Sequence, residues 1–430
     1  MRGIVYTGSD VEVTDELTVA DPGPTEVRVQ VAAAGVCHSD LSVINGTIPW
    51  RAPSVLGHEG AGVVEAVGSE VRSVKPGDHV VIATLASCGT CRACSTGHPT
   101  WCVRTLGNVS TPFTYKGEPA SNFAATSVFA EATIVKEVQA VKISKDVPLS
   151  SACLIGCGVL TGVGAVLNRA KVEAGQTAAV FGVGGVGLNV IQGLRLSGAS
   201  RIIAVDTMAS KEGLARQFGA THFIDASQTD AVAAIREIVP PGPSRVTGAL
   251  GWTGGVNFAF DCVGHPAVLR NALDVLDWGG TALAIGIPPQ GTEVAVDVNA
   301  LAYVDRGLLG CRYGSARPHH DIPLMVELYL SGRLMLDELV TETKPLEGFR
   351  DIVEDMEAGK LARGVLNFWI APVPAGAGRL AVQATAFGVR GGANTPTARS
   401  HRVAIGGQAV EPAKRASPKA KIPPSAAVSQ

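Results

Sequence analysis

A chain of 430 residues, 46% apolar and 17% charged, can bury a large core and has room for two domains and a tail. Its formal net charge of −2 gives no electrostatic reason to expect nucleic acid or an anionic membrane as a partner. No basic stretch leading into an apolar one opens the sequence, and the apolar run over 178–190 is broken by glycines, so neither a secretory signal nor a membrane span is expected.

Residues 1–35 alternate apolar and polar side chains between Gly and Pro, as in Val27-Arg28-Val29-Gln30-Val31, which predicts short antiparallel strands. The pattern continues through 62–68 and 77–81, so the first part of the chain reads as a β-rich, barrel-like domain. Within it stand two chemically loaded tetrads, Cys37-His38-Ser39-Asp40 and Gly57-His58-Glu59-Gly60. Then come Cys88, Cys91, Cys94 and Cys102 in the pattern Cys-x2-Cys-x2-Cys-x7-Cys, on a segment too poor in apolar residues to fold unaided. Four thiols so spaced can close a tetrahedral structural metal site, and the metal supplies the segment's folding energy. A redox role for Cys91 or Cys94 is the alternative.

The rhythm changes near Gly156-Cys157-Gly158, and 162–167 reads as helical. Strands are predicted over 177–182, 201–206, 222–224, 256–263, 281–287 and 308–313, with helices over 185–197, 211–218, 231–238 and 266–276. This alternation predicts a parallel sheet with helices on both faces. Gly182-Val183-Gly184-Gly185-Val186-Gly187 joins the first strand to its helix, and Asp206 ends the next strand, the context a dinucleotide fingerprint requires. Gly182 permits the tight turn, Gly184 lets backbone approach a pyrophosphate beside Gly185, and Gly187 allows close helix–strand packing. Residues 240–255 interrupt the series as a long loop. Helices over 321–330 and 346–358 and a strand over 364–368 follow. The last stretch, 372–430, holds eight Lys/Arg against Glu411 alone, has Phe387 as its one aromatic residue, and is expected to be disordered.

Thiolate and neutral imidazole are ligands zinc favours, and a catalytic zinc takes three protein ligands and keeps one position open. Cys37, His58 and Cys157 fit that count. Cys153 competes with Cys157, and Cys153, Cys262 and Cys311 otherwise read as small buried hydrophobes.

The order of an open Cys/His/Cys set, a four-Cys lobe and a Gly-rich nucleotide turn resembles the zinc-containing, medium-chain alcohol dehydrogenase family, from about residue 5 to about residue 368. The resemblance implies an α/β fold: a doubly wound, parallel Rossmann sheet plus a discontinuous GroES-like β-rich catalytic domain, with the active site between them. Residues 1–158 would form the catalytic domain with its structural zinc lobe at 88–102, 159–315 the NAD-binding domain, and 316–371 a return to the catalytic domain. Two zincs per chain are implied, one catalytic and one structural. Ser39 matches the hydroxyl that takes the substrate proton toward the cofactor ribose. The relay's usual terminal His is replaced by Ser42, so a water chain or His38 stands in for it. Asp40 matches the carboxylate that orients the ligand His, and Glu59 the one beside the metal. On the NAD side, Lys211 matches a position beside the adenosine ribose and Thr161 one near the nicotinamide. His38 and Arg363 match cations near the pyrophosphate, and Ile285-Gly286-Ile287 a strand end at the nicotinamide.

The expected activity is reversible hydride transfer from an alcohol to NAD, giving an aldehyde or ketone, in a cytoplasmic homodimer or homotetramer with a small-molecule partner only. A thiol-dependent formaldehyde dehydrogenase acting on an S-(hydroxymethyl)-thiol adduct is the near alternative. A non-catalytic nucleotide-binding relative is the distant one.

Overall fold

The computed structural model describes residues 1–105, 109–240 and 254–368. The tail over 372–430 and most of the 240–255 loop lie outside the described residues.

In the first half, alternation makes Glu26–Gly35 a two-faced strand: Val27, Val29 and Val31 are buried while Gln30 is exposed. This strand pairs antiparallel with Glu59–Val67, with Ala132–Lys136 and, at its C-terminal end, with Arg363–Asn367. The last pairing sets Val365 opposite Gly35 and brings the end of the described chain back beside its beginning. A second sheet, holding Gly3–Tyr6, Val11–Thr14 and Phe113–Tyr115 among others, completes this β-rich half.

The second half holds a six-stranded sheet in the order His222–Asp225, Arg201–Asp206, Thr177–Phe181, Val256–Asp261, Leu276–Ala284, Gly307–Gly310, parallel throughout. The chain winds one way from Thr177–Phe181 to the two strands before it and the other way to the three after it. The turn following Thr177–Phe181 therefore opens at the switch point, where such sheets bind ligands. Helix Ala231–Ile238 falls where it was read, its first turn capped by the Asp230 carboxylate accepting the Ala233 N–H at 3.0 Å.

Several boundaries move. The helix read at 162–167 runs Gly158–Gly164 and then widens into a π-helical turn, Ala165–Ala170. Helix 266–276 stops at Asp274, and the following strand starts at Leu276 rather than 281, because Val256 and Leu276 pair across Gly279-Gly280. The last parallel strand ends at Gly310, so Tyr313, read as strand, lies in a tight turn Tyr313–Ser315. Helix His38–Ile44 was not read at all; its seven residues are too few for a period to show.

No single helix among the described residues is long and apolar enough to cross a membrane. Leu149–Gly156 with Gly158–Ala170 passes that test only as a pair bent by 55°, and Cys153, Leu154, Val159 and Val163 from it lie in the core.

Candidate active site

One ligand atom from each of Cys37, His58, Glu59 and Cys157 lies within 4.8 Å of the others. Cys37 precedes helix His38–Ile44, His58 precedes strand Glu59–Val67, and Cys157 sits between a 3-10 turn, Cys153–Gly156, and helix Gly158–Gly164. Asp40, fully buried, ties the first two together. Its carboxylate accepts the Cys37 N–H at 3.1 Å and the Gly57 N–H at 3.1 Å, and meets His58 Nδ1 at 3.2 Å. With Nδ1 held there as the N–H, His58 Nε2 keeps its lone pair, buried and without a hydrogen-bond partner among the described residues. Two thiols and an imidazole with a free, desolvated nitrogen fit a zinc ion. Contact with the Cys157 thiol, helped by the Arg363 charge, draws Cys37 well below the ordinary thiol pKa.

The glycines of these motifs are explained by close approach. At Gly57, with φ +90°, a Cβ would meet the Phe129 ring at 2.5 Å; at Gly156 it would meet the Ile82 carbonyl at 2.5 Å; at Gly158 it would strike the Arg363 guanidinium. Glu59 accepts the Gly158 N–H at 3.1 Å and faces Arg363 at 3.4 Å. Burial raises its carboxyl to about 7, against the pull of the Arg363 charge.

Ser39 is half-buried on the first turn after Cys37, and its hydroxyl bonds to no other side chain or backbone group among the described residues. The Ser42 carbonyl accepts the Ile48 N–H at 2.7 Å.

The four lobe cysteines also converge within 4.8 Å. Cys91 and Cys94 sulfurs are 3.5 Å apart and Cys88 and Cys102 sulfurs 3.7 Å, far from the ~2 Å of a disulfide. The Cys91 N–H donates to Cys88 Sγ at 3.3 Å and the Cys88 N–H to Cys102 Sγ at 3.5 Å. Donors aimed at sulfur favour thiolates: backbone hydrogen bonds, that from Thr90 first, bring Cys88 down to about 6.

At the Gly-rich turn, Gly182 has φ +90°, and a Cβ on Gly187 would strike the Gly182 carbonyl. Gly184 faces open space, as a backbone approached by phosphate must. A Cβ on Gly185 would collide with Arg363, so that guanidinium lies against the first turn of helix Gly185–Ser197. Asp206 accepts the Val183 N–H at 2.7 Å and pairs with Lys211 at 3.0 Å. His38 is exposed; partial burial of its ring lowers its pKa, and the charges of Arg363 and Lys211 act in the same direction. Thr161 is half-buried on the helix after Cys157. Ile285, Gly286 and Ile287 follow strand Leu276–Ala284, where the Ile285 and Gly286 N–H groups both donate to the Asp261 carbonyl at 3.0 Å.

Two features escaped the sequence. Phe123 stands edge-on to the His58 ring at 5.6 Å and to Trp50 at 5.1 Å, making an aromatic wall beside the ligand imidazole. The Tyr313 hydroxyl donates to the Gly156 carbonyl, next to Cys157. A single aromatic residue in a loop has no spacing signature that would have announced either contact.

Known proteins are similar to this chain over most of its length. The alcohol dehydrogenase GroES-like domain pattern matches residues 23–145, and the zinc-binding dehydrogenase pattern matches 185–331. S-(hydroxymethyl)glutathione dehydrogenase of Paracoccus denitrificans is 38% identical over 372 residues, covering 84% of this chain and 97% of that one. An alcohol dehydrogenase zinc-binding domain protein of Burkholderia ambifaria superposes with a TM-score of 0.79 at 37% identity, over 85% of this chain and 98% of that one. Benzyl alcohol dehydrogenase of Acinetobacter calcoaceticus gives 0.77 at 35% identity, over 85% and 99%.

Proposed function

The chain belongs to the zinc-containing, medium-chain alcohol dehydrogenase family, and we propose the following division of labour among its residues in reversible, NAD-dependent alcohol oxidation. Cys37, His58 and Cys157 hold the catalytic zinc, and Cys88, Cys91, Cys94 and Cys102 the structural one. When bound, zinc supplies a Lewis acid for the alcohol or carbonyl oxygen, and NAD accepts or returns the hydride. Asp40 fixes the His58 tautomer and ring orientation, and Ser39, free of partners among the described residues, takes the alcohol proton toward the cofactor. Asp206 and Lys211 hold the adenosine ribose. Gly184, Gly185, the helix start behind them, His38 and Arg363 receive the pyrophosphate. Thr161 and 285–287 border the nicotinamide. Glu59 lies between the metal ligands and Arg363, where it adjusts the charge around the metal.

The observation that carries this reading is His58 Nε2, buried, unpartnered among the described residues and set among two thiols by the Asp40 carboxylate. The aromatic pair Phe123 and Trp50 beside His58 favours an alcohol with an apolar or aromatic body. The likeness to an S-(hydroxymethyl)glutathione dehydrogenase supports the thiol adduct as a second reading. Turnover of a panel of primary, secondary and aromatic alcohols with NAD, and of formaldehyde with and without added thiols, separates the two. Turnover of formaldehyde only in the presence of a thiol would replace the first reading by the second.

On the same reading, residues 1–158 and 316–371 form the catalytic domain around 159–315, a division supported by the return of Arg363–Asn367 to Glu26–Gly35. A homodimer or homotetramer is supported by the outermost strand, Gly307–Gly310, which has no further strand beside it among the described residues, and by the exposure of Leu308, Trp278 and Tyr303. None of the nine cysteines is joined in a disulfide, which supports the cytoplasm.

A further inference from the structure

Cys157 occupies a joint. Its φ of −144° and ψ of −73° belong to neither the 3-10 turn before it nor the helix after it, so that ligand's direction depends on what grips its neighbours. Three contacts do so. The Gly158 N–H donates to Glu59, the Cys157 carbonyl accepts the Thr161 N–H at 2.8 Å, and the Gly156 carbonyl accepts the Tyr313 hydroxyl. The third comes from a residue beyond the end of the parallel sheet. The same phenol oxygen accepts the Thr84 N–H at 3.2 Å, so both its hydrogen-bonding roles are filled by backbone.

The turn that carries Tyr313 is strained. Tyr313, Gly314 and Ser315 have φ of +52°, +62° and +50°, a left-handed run that disfavours its two non-glycine members. It is held in place by direct backbone contact with the helix following Cys157. A Cβ on Gly314 would strike the Leu160 carbonyl, one on Gly164 would meet the Gly314 carbonyl at 2.5 Å, and the Asn168 amide donates to that carbonyl at 3.4 Å. Such strain persists where surrounding contacts over-determine it, and here the result is a hydroxyl delivered between two backbone segments. Packing alone would be served as well by phenylalanine, which would leave the Gly156 carbonyl and the Thr84 N–H without this partner.

We propose that Tyr313 is a positioning residue for the open metal site, its hydroxyl fixing the Cys157 turn against Thr84. The inference rests on Cys37, His58 and Cys157 being the zinc ligands, and metal content checks that separately. If Cys37→Ser loses no zinc relative to the unmodified enzyme, that reading fails and this one with it. Given its loss, Tyr313→Phe should release the open-site zinc to a chromogenic chelator about 10–100-fold faster, the usual scale for residues that orient metal ligands. Its kcat should fall with KM nearly unchanged. Tyr115→Phe, which removes a hydroxyl bonded to Glu12 within the second sheet of the β-rich half, should do neither. A folded Tyr313→Phe enzyme that keeps its zinc at the unmodified rate overturns the proposal, as does equal zinc loss from both variants. Should Tyr313→Phe not fold, hydrogen exchange on the unmodified enzyme decides. Withdrawing the open-site zinc should speed exchange at Thr84 together with 156–158, and protection unchanged at Thr84 overturns the proposal.

Discussion

The two thiol-rich centres are built in opposite ways. The ligands of the open site come from three separate places in the chain, and two of them are fixed by contacts from elsewhere, Asp40 for His58 and Glu59 and Tyr313 for the neighbours of Cys157, while Cys37 is held by Asp40 from its own turn. In the lobe, all four thiols fall between 88 and 102, and the hydrogen bonds around them are those of the segment itself, Cys91 to Cys88 and Cys88 to Cys102. Three of the four lobe cysteines are partly exposed, whereas Cys37 and His58 are buried. On the proposed assignment, the fold contributes more to the shape of the open site and the metal more to that of the lobe. Catalytic geometry gains from the first arrangement, because the fourth position stays open only if the protein, not the ion, fixes the other three.

The largest expected effect is also the sharpest test of that contrast. Cys37→Ser should lower turnover by on the order of a thousandfold or more, the scale of several kcal/mol of lost charge stabilisation, while melting stays close to the unmodified value. Cys94→Ser should do the reverse in kind: it should lower the melting temperature or solubility, because the segment loses its metal-linked folding energy. Each variant should hold one zinc where the unmodified chain holds two. Metal analysis with unfolding curves checks both, and a Cys37→Ser protein that melts as early as Cys94→Ser breaks the comparison.

Smaller effects should follow at the open site alone. Ser39→Ala should cut turnover by about 10²–10⁴-fold, the usual contribution of a positioned proton-transfer group, with zinc content unchanged. Asp40→Asn keeps the shape but offers an amide where His58 Nδ1–H and two backbone N–H groups need an acceptor. It should weaken zinc binding about 10–100-fold, read by competition with a chelator. If Ser39→Ala turns over normally, the proton leaves by another route.

How much of this was legible follows from the same contrast. The lobe could be read in full, because its chemistry is written in local spacing. The open-site ligands could be read as an order of Cys, His and Cys, mostly through the family resemblance, with glycines beside His58 and Cys157 adding local support. What positions them could not. Asp40 was named through resemblance, but Phe123, Trp50 and Tyr313 act through contacts with residues distant in sequence, which no window of residues records. The misread strand over 308–313 has the same origin. Leu308 and Leu309 carry a strand pattern, but the turn at Tyr313 is set by the approach of Gly314 to Gly164, which is a tertiary event.

The smallest expected effect concerns a tether between the lobe and the rest of the chain. Arg312, exposed at the edge of the parallel-sheet half, donates from Nη1 to the Thr100 carbonyl at 3.0 Å, two residues before Cys102. The acceptor is a neutral carbonyl, and no carboxylate forms an ion pair with this guanidinium among the described residues. A hydrogen bond of a charged donor that water can replace is worth about 1–2 kcal/mol at most. If the metal organises the lobe, Arg312→Met should leave both zincs bound and turnover within about twofold, because Thr100 is not needed to gather the thiols. Melting should fall by only a degree or two, since about 1 kcal/mol is a small shift in a chain of this size. Should Arg312→Met instead shed the lobe's zinc, or melt as early as Cys94→Ser, the lobe would depend on the parallel-sheet half for its shape. It would then be built by the fold, as the open site is.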